Sequence, residues 1–178
     1  MPNDLQSSTH SNAPPVAHVI LYQPEIPQNT GNIGRSCVAV GAKLWIVRPA
    51  SFDLSEKRVR RAGLDYWKHL DLQMSDSWEE VARQMVTERT FFFSRFATRE
   101  IWDVDFQLSD CFVFGSESKG LPRTIVQPHQ QNAIRLPTRP IVRSLNLATT
   151  VGIVLFEQQR QLRRLGQIGD PALPDVPK

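Results

Sequence analysis

The sequence predicts an α/β domain with a mainly parallel sheet and helices on both faces. Short, continuously apolar runs such as HVILY and CFVF recur along the chain, as is typical of strands that are covered on both sides. Amphipathic segments with helical spacing separate these runs. The 178 residues are enough for one domain with a sizeable core.

The first predicted unit is a strand at residues 18–22, followed by a glycine-containing segment and a helix. Asn29 or Thr30 is expected to cap this helix, since both side chains can accept a hydrogen bond from a free backbone N–H. Gly41 is expected to end it, because glycine readily adopts the left-handed conformation of a C-cap. The apolar face of this helix consists of Ile33, Cys37 and Val40.

A second strand is predicted at residues 44–47, and Pro49 ends it because proline cannot donate to a sheet ladder. A basic helix around residues 54–62 and a weak strand near residues 69–72 follow. The stretch DSWEEVARQMV predicts an amphipathic helix. Its capping candidates are Asp76 and Ser77, and its apolar face consists of Trp78, Val81 and Met85.

Further strands are predicted in TFFF, CFVFG and AIRLP. Pro122 is expected to begin the helix after CFVFG, because proline suits the first helical position. The last helix is predicted from Ser144, as its N-cap, to about Leu165. Its apolar positions are Leu147, Ala148, Val151, Leu155 and Leu162.

One domain is predicted at residues 17–165, between flexible tails at residues 1–16 and 166–178 that are polar and rich in proline and glycine. No apolar run is long enough to span a membrane. The N-terminus lacks the basic and apolar regions of a signal peptide. We therefore expect a cytoplasmic protein that does not act at a membrane.

The formal net charge of +3 is modest, but two basic clusters stand out. Both would suit the phosphate backbone of a nucleic acid, and a solvated helix face is the alternative. Two cysteines 74 positions apart and four scattered histidines suggest neither a disulfide framework nor a metal site. The clusters are Lys57, Arg58, Arg60 and Arg61, and Arg123, Arg135, Arg139 and Arg143.

Three segments follow predicted strands, and ligands of parallel α/β sheets bind beyond the carboxyl ends of the strands. They are segment 1 (residues 23–35, QPEIPQNTGNIGR), segment 2 (residues 115–122, GSESKGLP) and segment 3 (residues 137–146, PTRPIVRSLN). No nucleophile, histidine and acid arrangement is recognisable in the sequence. An enzyme built on these segments would therefore act by positioning and electrostatics.

Segment 1 is not a nucleotide fingerprint, because it has neither GxGxxG nor the GxxxxGK spacing of a phosphate loop. Gly31 and Gly34 would allow another backbone or a ligand to approach closely. Arg35 is expected in the first turns of the helix, where a cation opposes the helix dipole, so we expect a phosphate or carboxylate beside it. An exposed arginine of no consequence is the alternative.

Segments 2 and 3 offer backbone groups and small polar side chains. Gly115 and Gly120 would expose backbone groups suited to the edge of an adenine or the hydroxyls of a ribose. Glu117 could engage a ribose, a cation or an arginine; a plain surface turn is the alternative. Leu145 could press against an apolar ligand face, and Asn146 could join one segment to another, unless segment 3 is a simple helix start.

Four stretches resemble, in order, the motif set of the SPOUT superfamily of RNA methyltransferases: LYQPEIPQNTGNIGRSC, KRVRRAGLDYW, FVFGSESKGLP and IRLPTRPIVRSLNLATTVGIVLFEQQRQ. The resemblance covers nearly all of residues 18–164 and is close to the branch that methylates the ribose 2'-oxygen of the tRNA wobble nucleotide. It implies a C-terminal deep trefoil knot, S-adenosylmethionine as cofactor and a homodimer. The implied substrate is the wobble cytidine or modified uridine of leucine-type tRNAs. Another tRNA or rRNA position, or a non-catalytic RNA-binding module, is the alternative.

The resemblance also implies roles for individual residues. It places Arg35 and Asn29 in catalysis. Many relatives have a tyrosine where this chain has Phe156, so one hydroxyl contact would be missing here. The implied cofactor-binding residues are Phe93, Gly115, Glu117, Gly120, Leu136, Ser144, Leu145 and Asn146.

Two surfaces are expected to bind macromolecules. In EKRVRRAGLDYW, Arg60 and Arg61 would contact phosphates, and Tyr66 or Trp67 would stack on a base unless it belongs to the core. For the dimer, the apolar stripe of the last helix and the apolar face of the first helix could each meet a second copy.

Methyl transfer is an in-line displacement in which the ribose 2'-oxygen attacks the methyl carbon of a sulfonium, so the enzyme must align both groups and exclude water. A guanidinium stays protonated in proteins. Arg35 is therefore expected to hold the adjacent phosphate or to stabilise developing alkoxide charge, while the proton leaves to phosphate or water. A general-base role would require strong desolvation and remains the open alternative.

Overall fold

The computed structural model describes residues 13–50 and 65–169. Seven strands within these residues form one sheet, and every neighbouring pair is parallel. The strands are β1 (Ala17–Tyr22), β2 (Lys43–Val47), β3 (Leu72–Ser75), β4 (Thr90–Phe93), β5 (Arg99–Glu100), β6 (Asp110–Phe114) and β7 (Ala133–Arg135). Their order across the sheet is β3-β2-β1-β6-β4-β7-β5.

Helices cover both faces of this sheet. The α-helices of the described residues are α1 (Pro27–Val40), α2 (Trp78–Ala82), α3 (Arg123–Val126) and α4 (Leu147–Arg164). α1 and α4 pack against each other, and Ile33 and Val154 share a buried cluster with Phe112 of β6. Val81 of α2 and Ile125 of α3 belong to the cluster on the other face. The predicted α/β class with helices on both faces is confirmed.

The parallel register brings the three segments to one edge of the sheet. β1 lies between β2 and β6, and its Ile20 lies opposite Trp45 of β2 and Val113 of β6. Every residue of β6 is buried, as the continuously apolar run CFVF predicts. Since the strands run in the same direction, β1, β6 and β7 end at the same edge, where segments 1, 2 and 3 follow them.

β7 lies between β4 and β5, although it comes later in the chain than both. Phe93 of β4 and Arg99 of β5 both pair with Ile134 of β7, from opposite sides. Residues 94–98 therefore connect one side of β7 to the other. β7 thus lies between two strands that precede it in the chain, an arrangement that is consistent with the expected trefoil knot.

The start of α1 differs from the prediction. The helix begins at Pro27, and its N-cap is Ile26, whose side chain makes no capping hydrogen bond. The prediction that Asn29 or Thr30 caps this helix is wrong, because proline at the first position starts the helix earlier. Gly41 is the C-cap with a φ of 77°, and its N–H donates to the carbonyl of Cys37, as predicted.

The cap of α4 also differs from the prediction. Asn146, not Ser144, is the N-cap, and its side-chain oxygen accepts hydrogen bonds from the N–H groups of Ala148 at 2.8 Å and Thr149 at 3.2 Å. In α2, Ser77 is the cap and accepts from the N–H of Glu80, as predicted. That helix ends at Ala82, so Met85 of the predicted apolar face lies beyond the end of the helix.

Several predicted elements fall elsewhere or outside the described residues. A 3-10 helix at Asp65–His69 precedes β3, so the weak strand lies at Leu72–Ser75 and not near residues 69–72. The predicted basic helix lies outside the described residues, and so do most of the predicted tails. Of the tail residues that are described, Val16 donates its N–H to the carbonyl of Gly41 at 2.9 Å. No helix in residues 13–50 and 65–169 is long and apolar enough to cross a membrane.

Candidate functional site

Glu117 joins segment 2 to segment 1. Its carboxylate accepts hydrogen bonds from the N–H of Glu25 at 2.8 Å, the N–H of Ile26 at 3.2 Å and the side-chain amide of Asn29 at 2.9 Å. The two segments lie side by side because β1 and β6 are paired neighbours. The partners of Glu117 in the structure are therefore backbone N–H groups and a side-chain amide of segment 1. The sequence suggested a ribose, a cation or an arginine as its partner.

Asn29 extends this connection to segment 3. It lies in the first turn of α1 with 6% of its surface exposed. While its side-chain nitrogen donates to Glu117, its oxygen accepts a hydrogen bond at 2.9 Å from the side-chain nitrogen of Asn146. Asn146 also caps α4, so the prediction that it joins one segment to another is confirmed. The series Glu117, Asn29 and Asn146 therefore holds all three segments together.

A second contact between segments 1 and 2 was missed in the sequence. The carboxylate of Glu25 accepts hydrogen bonds from the N–H of Ser118 at 2.9 Å and from its hydroxyl at 2.6 Å. These bonds from Ser118, the hydroxyl first, lower the pKa of Glu25 below its ordinary value. No local pattern marks this pair, because its members are 93 residues apart.

The turn of segment 2 requires its glycines. A Cβ on Gly115 would lie 2.0 Å from the carbonyl carbon of Gly120 and 2.1 Å from the nitrogen of Leu121. Gly120 has a φ of 71°, which favours glycine, and its N–H donates to the carbonyl of Ser116 at 2.8 Å. The turn is therefore closed on itself by Ser116 and Gly120.

The apolar residues that the resemblance implied have different exposures. Phe93 ends β4 and stacks on Phe114 with ring centroids 4.4 Å apart. Leu136 is half-buried against the same core. Leu145 is 37% exposed, and Ser144 is exposed. The first two therefore pack against the core, whereas the side chains of the last two are exposed.

A cleft of about 580 Å³ lies beside segment 2. Its lining includes the immediate neighbours of Phe93 and Gly120, but not those two residues themselves. Both apolar and polar residues line it, and two of its side chains, Lys119 and Arg123, are cations. The lining residues are Ser94, Phe96, Ala97, Thr98, Lys119, Leu121, Pro122, Arg123, Val126, Gln127, Gln130 and Ala133.

Arg35 lies well inside α1, eight residues after Pro27. The expectation that it sits in the first turns of the helix is wrong, so the helix dipole gives no argument for an anion. Its side chain is exposed, and the guanidinium carbon lies 4.8 Å above the ring centroid of Tyr66. Tyr66 thus contacts Arg35 in this structure.

The predicted dimer surface on the first helix is wrong. Ile33, Cys37 and Val40 are buried in the core of their own chain, because α4 packs against this side of α1. Large apolar side chains are exposed elsewhere: Ile141 of segment 3 at 88% and Phe156 of α4 at 54%.

The two basic clusters are only partly described by the structure. Arg60 and Arg61 lie outside the described residues. Arg135, of the second basic cluster, forms an ion pair with Glu100 at 2.8 Å. Within residues 13–50 and 65–169, no three histidine, cysteine, aspartate or glutamate side chains form a group that could hold a metal ion.

The model of the SpoU rRNA Methylase family matches residues 17–156. The tRNA (cytidine(34)-2'-O)-methyltransferase of Methylovorus glucosotrophus (strain SIP3-4) is 40% identical over 144 residues, which are 80% of this chain and 94% of that protein.

Solved structures share the fold. One described as "Structural insights into the 2-OH methylation of C/U34 on tRNA" is 40% identical with a TM-score of 0.78, and the match covers 85% of this chain and 99% of that chain. The SpoU methyltransferase AviRb from Streptomyces viridochromogenes, in complex with the cofactor AdoMet, is 24% identical with a TM-score of 0.70; here 81% of this chain and 57% of that chain are covered. The resemblance noted in the sequence is confirmed, and the chain belongs to the SpoU methylase family.

Proposed function

We propose that this chain transfers a methyl group from S-adenosylmethionine to the ribose 2'-oxygen of the tRNA wobble nucleotide. The observation that carries the proposal is the series Glu117, Asn29 and Asn146, which holds three segments from distant parts of the chain at one edge of the sheet. The Methylovorus relative is named for this reaction and aligns with nearly all of the domain. Both findings support a transferase whose cofactor and RNA sites meet at this edge.

The residues at this edge fit the proposed cofactor. S-adenosylmethionine, when bound, supplies a methyl group on a positively charged sulfur. The three segments that Glu117, Asn29 and Asn146 join follow strands that end at one edge of the sheet, where parallel α/β sheets bind their ligands. The related fold of AviRb holds AdoMet. Backbone groups of the segment 2 turn suit the hydroxyls of the ribose. We propose as cofactor-binding residues Phe93, Gly115, Glu117, Gly120, Leu136, Ser144, Leu145 and Asn146.

Arg35 and Asn29 take different parts in the proposed reaction. The exposed guanidinium of Arg35 holds the phosphate next to the reacting ribose or stabilises the charge that develops on the 2'-oxygen. Since a guanidinium remains protonated, the proton of the hydroxyl leaves to phosphate or water. Both ends of the Asn29 amide are engaged by protein groups, so Asn29 positions segments 2 and 3 and does not reach the RNA.

The proposed substrate is the wobble cytidine or modified uridine of leucine-type tRNAs in the cytoplasm. Arg60 and Arg61 are proposed to contact RNA phosphates, and Tyr66, which follows them in the chain, is the third residue for which the sequence suggests an RNA contact. A second copy of the chain would cover Phe156 and Ile141, which are large apolar side chains exposed in one copy. The description of the family model names rRNA, so a ribosomal RNA position is the second candidate.

The test is transfer of a labelled methyl group to total tRNA and to rRNA, followed by mapping of the modified nucleoside. We expect label on the wobble 2'-oxygen of leucine-type tRNA, with no label on rRNA. Arg35→Ala is expected to abolish transfer while the dissociation constant for S-adenosylmethionine stays within about threefold of wild type. Arg83→Ala, which removes another exposed arginine, is the matched control and should retain transfer. Label on rRNA alone would contradict the proposal.

A further inference from the structure

The 3-10 helix Asp65–His69 packs on one side of α1. It contacts Gly31, Gly34 and Arg35; the last two lie three and four residues after Gly31 and are therefore its neighbours on the helix surface. The hydroxyl of Tyr66 donates to the carbonyl of Gly31 at 2.8 Å. A Cβ on Gly34 would lie 2.9 Å from the ring of Trp67, so this glycine makes room for the indole. Arg35 follows directly and lies over the Tyr66 ring.

The hydroxyl of Tyr66 and the backbone of Arg35 share one acceptor. In an α-helix the N–H of each residue donates to the carbonyl four residues earlier, which for Arg35 is the carbonyl of Gly31. Burial raises the pKa of Tyr66 above its ordinary value, although the nearby Arg35 opposes this. The phenol therefore remains a donor at neutral pH, and the ring is fixed relative to the backbone that carries the arginine.

Arg35 needs an external restraint. Its side chain has four rotatable bonds and is exposed, so without a partner it would sample many conformers. Among the described residues, no carboxylate lies within ion-pair distance of it. Tyr66 restrains it: the guanidinium carbon lies 4.8 Å from the ring centroid, and the guanidinium also interacts with the Tyr66 hydroxyl.

We propose that Tyr66 is a positioning residue that orients the Arg35 guanidinium toward the reacting ribose and its phosphate. The proposal rests on the proposed function of Arg35. One face of the Tyr66 ring is occupied by the arginine, and its hydroxyl is occupied by the helix. This assignment replaces the expectation that Tyr66 stacks on an RNA base, which becomes one of the outcomes of the test.

The first measurement requires no activity. We would record the order parameter of the Arg35 Nε–H group by NMR in wild type, Tyr66→Phe and Tyr66→Leu. We expect an ordered group in wild type and in Tyr66→Phe, which keeps the ring, and a value below about 0.6 in Tyr66→Leu. An equally ordered group in Tyr66→Leu would overturn the proposal.

The second measurement is single-turnover methyl transfer, with tRNA affinity measured in parallel. Tyr66→Leu should lower the transfer rate at least tenfold, which is about 1.4 kcal/mol, with the tRNA dissociation constant within about threefold. Trp102→Leu, which removes another exposed aromatic ring, is the matched control and should leave the rate unchanged. Weaker tRNA binding at an unchanged rate would instead assign Tyr66 to base stacking and overturn the proposal.

A double-mutant cycle separates positioning from a general structural effect. In the Arg35→Lys background, which loses the planar guanidinium, Tyr66→Leu should lower the remaining rate by less than twofold. An equal loss in both backgrounds would show that Tyr66 acts without Arg35 and would overturn the proposal. Failure of the proposed function looks different, because the unaltered protein would then transfer no methyl group to tRNA in the same assay.

Discussion

Replacing Glu117 by glutamine tests whether its carboxylate holds segments 1 and 2 together. One carboxylate oxygen accepts from Asn29 and from the N–H of Ile26, and the other accepts from the N–H of Glu25. The shape of glutamine is nearly the same, but one of its two terminal groups is a donor. Whichever way the amide is turned, at least one N–H of segment 1 then faces another N–H.

The magnitude follows from these bonds. A hydrogen bond to a charged acceptor contributes roughly 1.5–3 kcal/mol, and a neutral acceptor contributes roughly half of that. Glu117→Gln loses one such bond and weakens the others, while its half-buried position lets water compensate in part. We therefore expect a loss of about 2 kcal/mol, shared between the free energy of unfolding and the binding of S-adenosylmethionine.

The assay is urea unfolding together with calorimetric titration of S-adenosylmethionine. Glu117→Gln should lower the urea concentration at the unfolding midpoint. It should also raise the dissociation constant for S-adenosylmethionine by up to about thirtyfold, the equivalent of about 2 kcal/mol. Glu88→Gln makes the same chemical change at an exposed position and should alter neither quantity. If Glu117→Gln matched wild type in both, the carboxylate would not hold the site together and the reasoning would be refuted.

Three further predictions concern other parts of the domain. Gly115→Ala should remove cofactor binding and lower the melting temperature, because its Cβ would lie 2.0 Å from the backbone of Gly120; a variant that binds like wild type would contradict the turn geometry. His18 accepts a hydrogen bond from the indole N–H of Trp45 at 3.1 Å, and burial, with a smaller effect from Lys43, lowers its pKa below the ordinary 6.5. Its contribution to the free energy of unfolding should thus be complete above pH 6.5 and decline as the pH falls below that value, while His18→Gln should flatten this slope in urea titrations at pH 5 to 8. Burial raises the pKa of Cys37 to about 12 and that of Cys111 to about 11, so neither thiol should react with a disulfide reagent at pH 8 until urea unfolds the chain; rapid reaction of the native protein would disprove their burial.

The parallel sheet was predictable because its strands are continuously apolar. β6, with all five residues buried, is the clearest example. β5 was not predictable, since it consists of Arg99 and Glu100 and exists only through pairing with β7. A helix boundary was predictable where the boundary residue itself decides it, and not where distant segments do. Gly41 ends α1 by its own backbone preference, whereas Asn29 looks like a cap but is needed by residues from two distant segments.

In the candidate site, too, some features could be predicted from the sequence and others depend on contacts between distant segments. That segments 1, 2 and 3 meet follows from the direction of parallel strands. The particular pairs, such as Glu25 with Ser118, depend on which strands are neighbours, and local patterns carry no information about that. Tyr66 or Trp67 was expected to stack on an RNA base unless it belonged to the core, because unstacked RNA bases pack on aromatic side chains. The contact of Tyr66 with Arg35 depends on how the 3-10 helix docks on α1.

Methyl transfer to a tRNA that lacks one hydroxyl group tests the central claim most directly. Two leucine-type tRNAs would be compared, one with 2'-deoxyribose at the wobble nucleotide and one with 2'-deoxyribose at the preceding nucleotide. If the wobble 2'-oxygen is the nucleophile, the first should accept no methyl group and the second should be methylated like the unmodified tRNA. Transfer to the first tRNA at the normal rate would contradict the account.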